Sequence, residues 1–124
     1  KRGFDDSQFY HVLGTLYALR GNYDRALPYF EECLKRNPRS ASAHNAIAAI
    51  CLNRDDLACA EKHLEAALAI NPTLLDLRYN LAQLREKQNR LEEAIELYQQ
   101  EIADSPSHFK ALFNLARLYR LQHR

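Results

Sequence analysis

The stretch YHVLGTLY at Tyr10–Tyr17, followed by Ala26, Phe30 and Pro38, orders the whole chain. Its apolar and small residues fall three and four apart, which is the period of a helix and not the alternation of a strand. Pro38 has no amide hydrogen and a fixed φ, so it ends a helix and starts a linker. Pro72 and Pro106 follow at successive intervals of 34 residues. Equal spacing of helix breakers marks a repeat.

Taking each proline as the close of a unit gives repeats 7–40, 41–74 and 75–108, with a partial fourth repeat or capping helix at 109–124. The pattern recurs in phase. The second unit has His44, Ile47, Ala48 and Cys51, then Ala60, Leu64, Ala67 and Pro72. The third has Arg78, Leu81, Ala82 and Arg85, then Ala94, Tyr98, Glu101 and Pro106. Leu112, Leu115, Ala116 and Tyr119 restart the cycle. Breaks at Gly21-Asn22, Asn53–Asp56 and Gln88–Arg90 divide each unit into two antiparallel helices. The predicted helices are 7–20, 23–36, 41–53, 56–70, 74–87, 90–103 and 108–122. Ser40, Thr73 and Ser107 stand where side-chain oxygens can cap the first helices of the later units.

Folding each hairpin about its turn pairs Leu13 with Phe30, Tyr17 with Ala26, Ile47 with Leu64, Cys51 with Ala60 and Leu81 with Tyr98. Gly14, Ala48, Ala82 and Ala116 let helix axes approach. One hairpin cannot bury both its apolar faces, so the units must stack. The fold class expected is all-α: a right-handed superhelix of antiparallel helix hairpins, about seven helices forming one domain over 1–124. Pro28 falls near the start of a second helix, where the hydrogen bond it cancels would run to Asp24. Arg78 falls opposite Glu101, which predicts an ion pair.

Over residues 7–124 this pattern resembles the tetratricopeptide repeat family, whose signature is W-x₂-L-G-x₂-Y, then A-x₃-F, A and P in 34 residues. Tyr10, Leu13, Gly14, Tyr17, Ala26, Phe30 and Pro38 carry the closest match. The resemblance implies a noncatalytic scaffold that binds a peptide or helix in a concave groove lined by the first helices.

The composition agrees with that reading. The chain has 124 residues, 47% of them hydrophobic and 27% charged, with a net charge of +1. Nonspecific nucleic-acid binding needs a surplus of Lys and Arg, which is missing here. No apolar run approaches the roughly 20 residues of a membrane span. The absence of methionine predicts a segment of a longer protein.

Catalytic candidates are few. Gly3, Gly14 and Gly21 form no phosphate-cradling motif, and Glu31-Glu32 and Glu92-Glu93 are helix neighbours that point apart. The expectation is therefore no enzyme, no cofactor and no metal. Cys33, Cys51 and Cys59 read first as small hydrophobes. A Cys51–Cys59 bridge across the turn is the lesser alternative, and the cysteine usage fits a reducing, cytoplasmic location. Cys59 and His63 lie one helical turn apart, but two ligands make a poor metal site. His44 occupies a position that the family fills with Trp or Tyr, which predicts a packed ring. His11 faces the groove.

The groove positions are those of the first helices that core packing does not use. The candidate peptide-binding residues are His11, Thr15, Asn45, Asn53, Tyr79, Asn80, Gln83, Phe113, Asn114, Arg117 and Arg120. An Asn offers both a donor and an acceptor to peptide backbone. Asn80 and Asn114 are 34 apart, with Asn45 one residue out of register. This partial ladder is similar to the one in the repeats of O-linked N-acetylglucosamine transferases. Lys110, Arg117, Arg120 and Arg124, with Lys87 nearby, would favour an acidic partner. The clamp by which co-chaperone repeats hold chaperone tails ending in EEVD is not matched, because its positions hold His11, Thr15, Ala46, Asp76 and Asn80. The alternative function is structural assembly. Leu112, Leu115, Leu118 and Leu121 predict an uncovered apolar flank on the last helix, suited to self-association or to docking on another domain.

Overall fold

The structure, a computed structural model, describes residues 6–123. Seven helices and no strand occur among them: α1 Asp6–Leu19, α2 Tyr23–Arg36, α3 Ala41–Asn53, α4 Leu57–Ile70, α5 Leu77–Lys87, α6 Leu91–Asp104 and α7 Phe109–Gln122. This is the all-α helical-repeat fold that the proline period predicts. The chain divides into two compact units, one ending at Pro72 and the other starting at Thr73. Gly3 lies outside the described residues. None of the described helices is long and apolar enough to cross a membrane.

The three hairpin turns are built alike. Gly21, Asp55 and Asn89 take positive φ values of 76°, 59° and 63°. The next amide of each turn reaches back to the helix before it: Asn22 N to Tyr17 O at 2.9 Å, Asp56 N to Cys51 O at 2.9 Å, and Arg90 N to Arg85 O at 2.8 Å. A left-handed residue just past a helix end lets the following amides satisfy carbonyls that the helix leaves open. Asn22 and Asp56 then cap α2 and α4, accepting from Arg25 N and Cys59 N. Helix α2 runs unbroken through Pro28.

In the first unit α1 packs on α2, α2 on α3 and α3 on α4. Gly14 lies against the buried Phe30 ring, where an added Cβ would come within 2.8 Å of Cε1. Ser40 caps α3 as expected, its hydroxyl accepting from Ala43 N at 3.2 Å. Cys33 is a buried thiol 4.0 Å from the Ser40 hydroxyl. Cys51 and Cys59, by contrast, are joined in a disulfide between α3 and α4. Their Cα atoms stand 5.9 Å apart across the tight turn, a normal separation for a bridged pair. The less favoured sequence reading is therefore the one realised, and the cysteines no longer argue for a reducing compartment.

In the second unit α5 packs on α6 and α6 on α7. Its core gathers Ala82, Ala94, Ile95, Tyr98, Ala111 and Leu118, with Tyr79, Leu91, Leu97, Ile102 and Leu115 packed around them. Two predicted caps are displaced here. Helix α5 starts at Leu77 instead of residue 74, after a left-handed Asp76 (φ 70°) whose side chain makes no cap bond. Thr73 therefore lies outside the cap, because the chain makes an extra turn in which Leu77 N bonds Leu74 O. Ser107 gives way to His108, whose Nδ1 accepts from Ala111 N at 3.3 Å. The expected leucine flank of α7 is also narrower, since Leu118 is only 1% exposed.

Candidate functional site

In the first unit, α1 presents Phe9, Val12, Leu16 and Leu19 to solvent at helical spacing, with Val12 66% and Leu19 82% exposed. Beside this stripe is a cavity of about 680 Å³ lined by Ser7, Gln8, Phe9, His11, Val12, Cys33, Asn37, Ser40 and Ser42. His11 lines this cavity, its ring edge-on to Phe30 at 5.5 Å. Burial lowers its pKa, opposed by a weaker hydrogen bond to the Ser42 backbone that raises it. Thr15 spends its hydroxyl on His11 O at 2.8 Å. Asn45 is half-buried and Asn53 is exposed at the last position of α3. Repeat register singles out His11 and Thr15 on this helix, but not the apolar stripe beside them.

His44 is not simply a packed ring. Its Nδ1 meets His63 Nδ1 at 3.0 Å, and its Nε2 lies 3.3 Å from Pro38 O. Burial lowers the pKa of His63, helped by the nearby charges of His44 and Lys62.

In the second unit, Tyr79, Phe109, Lys110, Phe113 and Asn114 line a recess of about 300 Å³. Phe113 is 70% exposed. Asn114 is hydrogen-bonded to Tyr79, whose hydroxyl pKa is raised mainly by burial. Gln83, Glu86, Lys87, Asn114 and Arg117 line a second recess of about 260 Å³. The structure therefore brings Tyr79, Gln83, Phe113, Asn114 and Arg117 together. Asn80 differs, being 7% exposed, so this member of the Asn ladder is turned inward.

Charge is partly neutralised within the unit. Arg117 pairs with Glu86 Oε2 at 2.5 Å, while Tyr98 donates its hydroxyl hydrogen to Glu86 Oε1 at 3.1 Å. Burial, reinforced by the Glu86 charge, pushes the Tyr98 pKa far up. Arg120 remains exposed. Arg124 lies outside the described residues.

The predicted pair of Arg78 with Glu101 forms at 3.8 Å, and Arg78 also contacts Asp104. Glu101 is buried, and its other oxygen lies 3.8 Å from His108 Nε2. Asp76 Oδ1 accepts from that same nitrogen at 2.7 Å. Asp76, Glu101 and His108 thus converge as a metal site's ligands would. The bonding shows a different use. His108 Nδ1 is an acceptor, so Nε2 carries the proton, and Arg78 already supplies positive charge beside Glu101. The cluster reads as a hydrogen-bonded ion network that holds α5, α6 and α7.

Comparison with known proteins agrees with this architecture. A family model described as tetratricopeptide repeat matches residues 11–74 and 79–124, and a second of the same description matches 54–101. No curated protein matches the sequence. Among solved structures, the chain is similar to the first TPR of Spaghetti (RPAP3) bound to the HSP90 peptide SRMEEVD. That match has a TM-score of 0.85 at 20% identity, covering 95% of this chain and 96% of that one. The first TPR domain of human RPAP3 gives 0.82 at 21% identity, over 92% and 90% of the two chains. MamA gives 0.78 at 21% identity, over 94% of this chain and 68% of that one. At these identities the structural likeness speaks to fold. The repeat period, the three like turns and the family match together place this chain in the tetratricopeptide repeat family.

Proposed function

We propose that the chain is a noncatalytic protein-interaction module that takes a peptide or helix on the exposed faces of its first helices. The observation that carries this reading is the α1 stripe of Phe9, Val12, Leu16 and Leu19 beside the His11 cavity. A contiguous exposed apolar face rimmed by polar groups suits the apolar face of a partner segment. The second unit offers a recess of mixed character, with Phe113 and Tyr79 for apolar contact and Asn114 and Lys110 for polar contact. Support also comes from a similar repeat domain that was solved with a bound peptide.

The acidic preference expected for the partner rests here on Lys110 and Arg120, since Glu86 already engages Arg117. The EEVD clamp residues remain absent from the sequence, so any acidic peptide would be held by other contacts. A selection of peptides from a displayed library tests the proposal. Val12→Glu with Leu16→Glu is expected to weaken the selected peptides at least tenfold. Unchanged affinity in that variant would sink the α1 surface. A second reading, self-association or docking through α7, draws on exposed Phe109, Leu112 and Leu121. Sedimentation across a hundredfold concentration range separates it, because a constant mass equal to one chain excludes self-association.

A further inference from the structure

Helices α1 and α7 each leave open a face that the repeat buries elsewhere. On α1, Phe9 and Leu16 are 50% and 44% exposed. One repeat later their register positions hold Ala43 and Ile50, which are buried in α3, a helix packed on α2. Three repeats later they hold Ala111 and Leu118, buried in one cluster with Ile95 and Tyr98 of α6. The α1 stripe is thus the side on which a first helix receives the helix before it. No helix precedes α1 among the described residues.

On α7 the opposite side is open. Gly14 is buried against Phe30 of its own hairpin, and Ala48 and Ala82 in the same register are fully buried. Ala116 repeats that position and is exposed, with Leu112 and Tyr119 one turn to either side of it and also exposed. No helix follows α7 among the described residues.

The two faces are complementary. Phe9 and Leu16 lie seven residues apart, as do Leu112 and Tyr119, and seven residues is close to two helical turns. Each pair therefore stays in line along its helix. Ala116 leaves room for a large side chain, as Gly14 does for Phe30. Helix α7 carries Lys110, Arg117 and Arg120 and no acidic residue, whereas α1 carries Asp6 and no lysine or arginine. Asp6 meets Arg36, yet its side chain stays 72% exposed. Two α7 faces set together would oppose like charges, so α1 is the better match for α7.

We propose that a second copy of this chain covers the α1 stripe, with α7 of one copy packed on α1 of the next. Such an interface joins unlike surfaces, so each added copy brings its own α1 and α7 faces. The inference rests on the reading of α7 as an association surface and names the surface it meets.

Sedimentation of the whole chain and of two variants tests it. Phe9→Lys with Leu16→Lys spoils the α1 face, and Leu112→Lys with Ala116→Lys spoils that of α7. The unaltered chain should gain mass with concentration, and each variant should associate at least tenfold more weakly. Mixed in equal amounts, the two variants should form a 1:1 dimer, because one keeps a sound α7 and the other a sound α1. If a double variant loses helical circular dichroism, Leu16→Lys or Ala116→Lys alone carries the same expectation. A constant single-chain mass for the unaltered chain overturns the association reading and this inference with it. Association that survives the α1 variant, or variants that stay apart when mixed, overturns the pairing of α7 with α1 alone.

Discussion

Glu86 accepts from both Arg117 and Tyr98, the first at 2.5 Å and the second at 3.1 Å. One carboxylate on α5 thereby binds α7 at its surface and α6 at its core. The exposed cation that the sequence reserves for a partner is drawn into the unit's own structure. Tyr98 is fully buried, so deleting its hydroxyl leaves Glu86 without its inner donor. Tyr98→Phe should cost about 1 kcal/mol in urea unfolding. A midpoint that matches wild type would show that the Tyr98–Glu86 bond is not stabilising.

Gly14 and Gly21 fail as alanine for different reasons. At Gly14 the new methyl would meet three atoms of the buried Phe30 ring at 2.8–2.9 Å. Overpacking of about 1–3 kcal/mol then exceeds the gain of about 1 kcal/mol in helix propensity. Gly14→Ala should therefore lower the melting temperature, and Phe30→Leu in the same chain should restore part of it. A more stable Gly14→Ala variant contradicts the contact.

At Gly21 nothing lies within 4 Å, yet φ is +76°. Gly21→Ala should cost roughly 1 kcal/mol through backbone strain alone. The position has no crowding neighbour, so no second-site truncation should recover that loss. Recovery by trimming a nearby side chain would refute the strain account.

Two histidines set a pH dependence. His11 and His63 both have folded-state pKa values below the ordinary 6.5, with burial the larger cause in each. The unfolded chain therefore takes up protons first as the pH falls. This contribution to stability is intact above pH 6.5 and is lost as the pH drops from there through the lowered folded-state values. Melting temperatures should fall between pH 7 and pH 5, about where histidine titrates. His63→Gln should flatten the slope, and an unchanged slope in that variant removes His63 from the account.

The disulfide predicts a thiol count. Of three cysteines, only Cys33 should react with an alkylating agent in the denatured, unreduced chain, and all three after reduction. Reduction should cost about 2 kcal/mol of stability. Three reactive thiols before any reductant is added would show that Cys51 and Cys59 are not bonded.

Much of the fold is legible because its determinants are local. The proline period, the three-and-four spacing and the turn residues each lie within one 34-residue unit. The start of α5 is not legible. The sequence places its cap at Thr73, but the helix begins only after Asp76, whose carboxylate is taken by His108, 32 residues away. The site is legible in position and less so in availability. Phe113, Asn114 and Tyr79 do converge, whereas Asn80 turns inward and Arg117 is claimed by Glu86. Repeat register states which helix position a residue occupies. It does not state which neighbour reaches that residue first, and the His44–His63 pair depends on such a meeting.

The like turns at Gly21, Asp55 and Asn89 bear on how such a chain can change length. Each closes its hairpin with a backbone bond spanning five residues, made within its own unit. A duplicated or excised block of one whole period would therefore carry its own hairpin closure with it. An insertion of any other size would have to rebuild a turn. The grammar of the chain admits whole words, and single letters only at a cost.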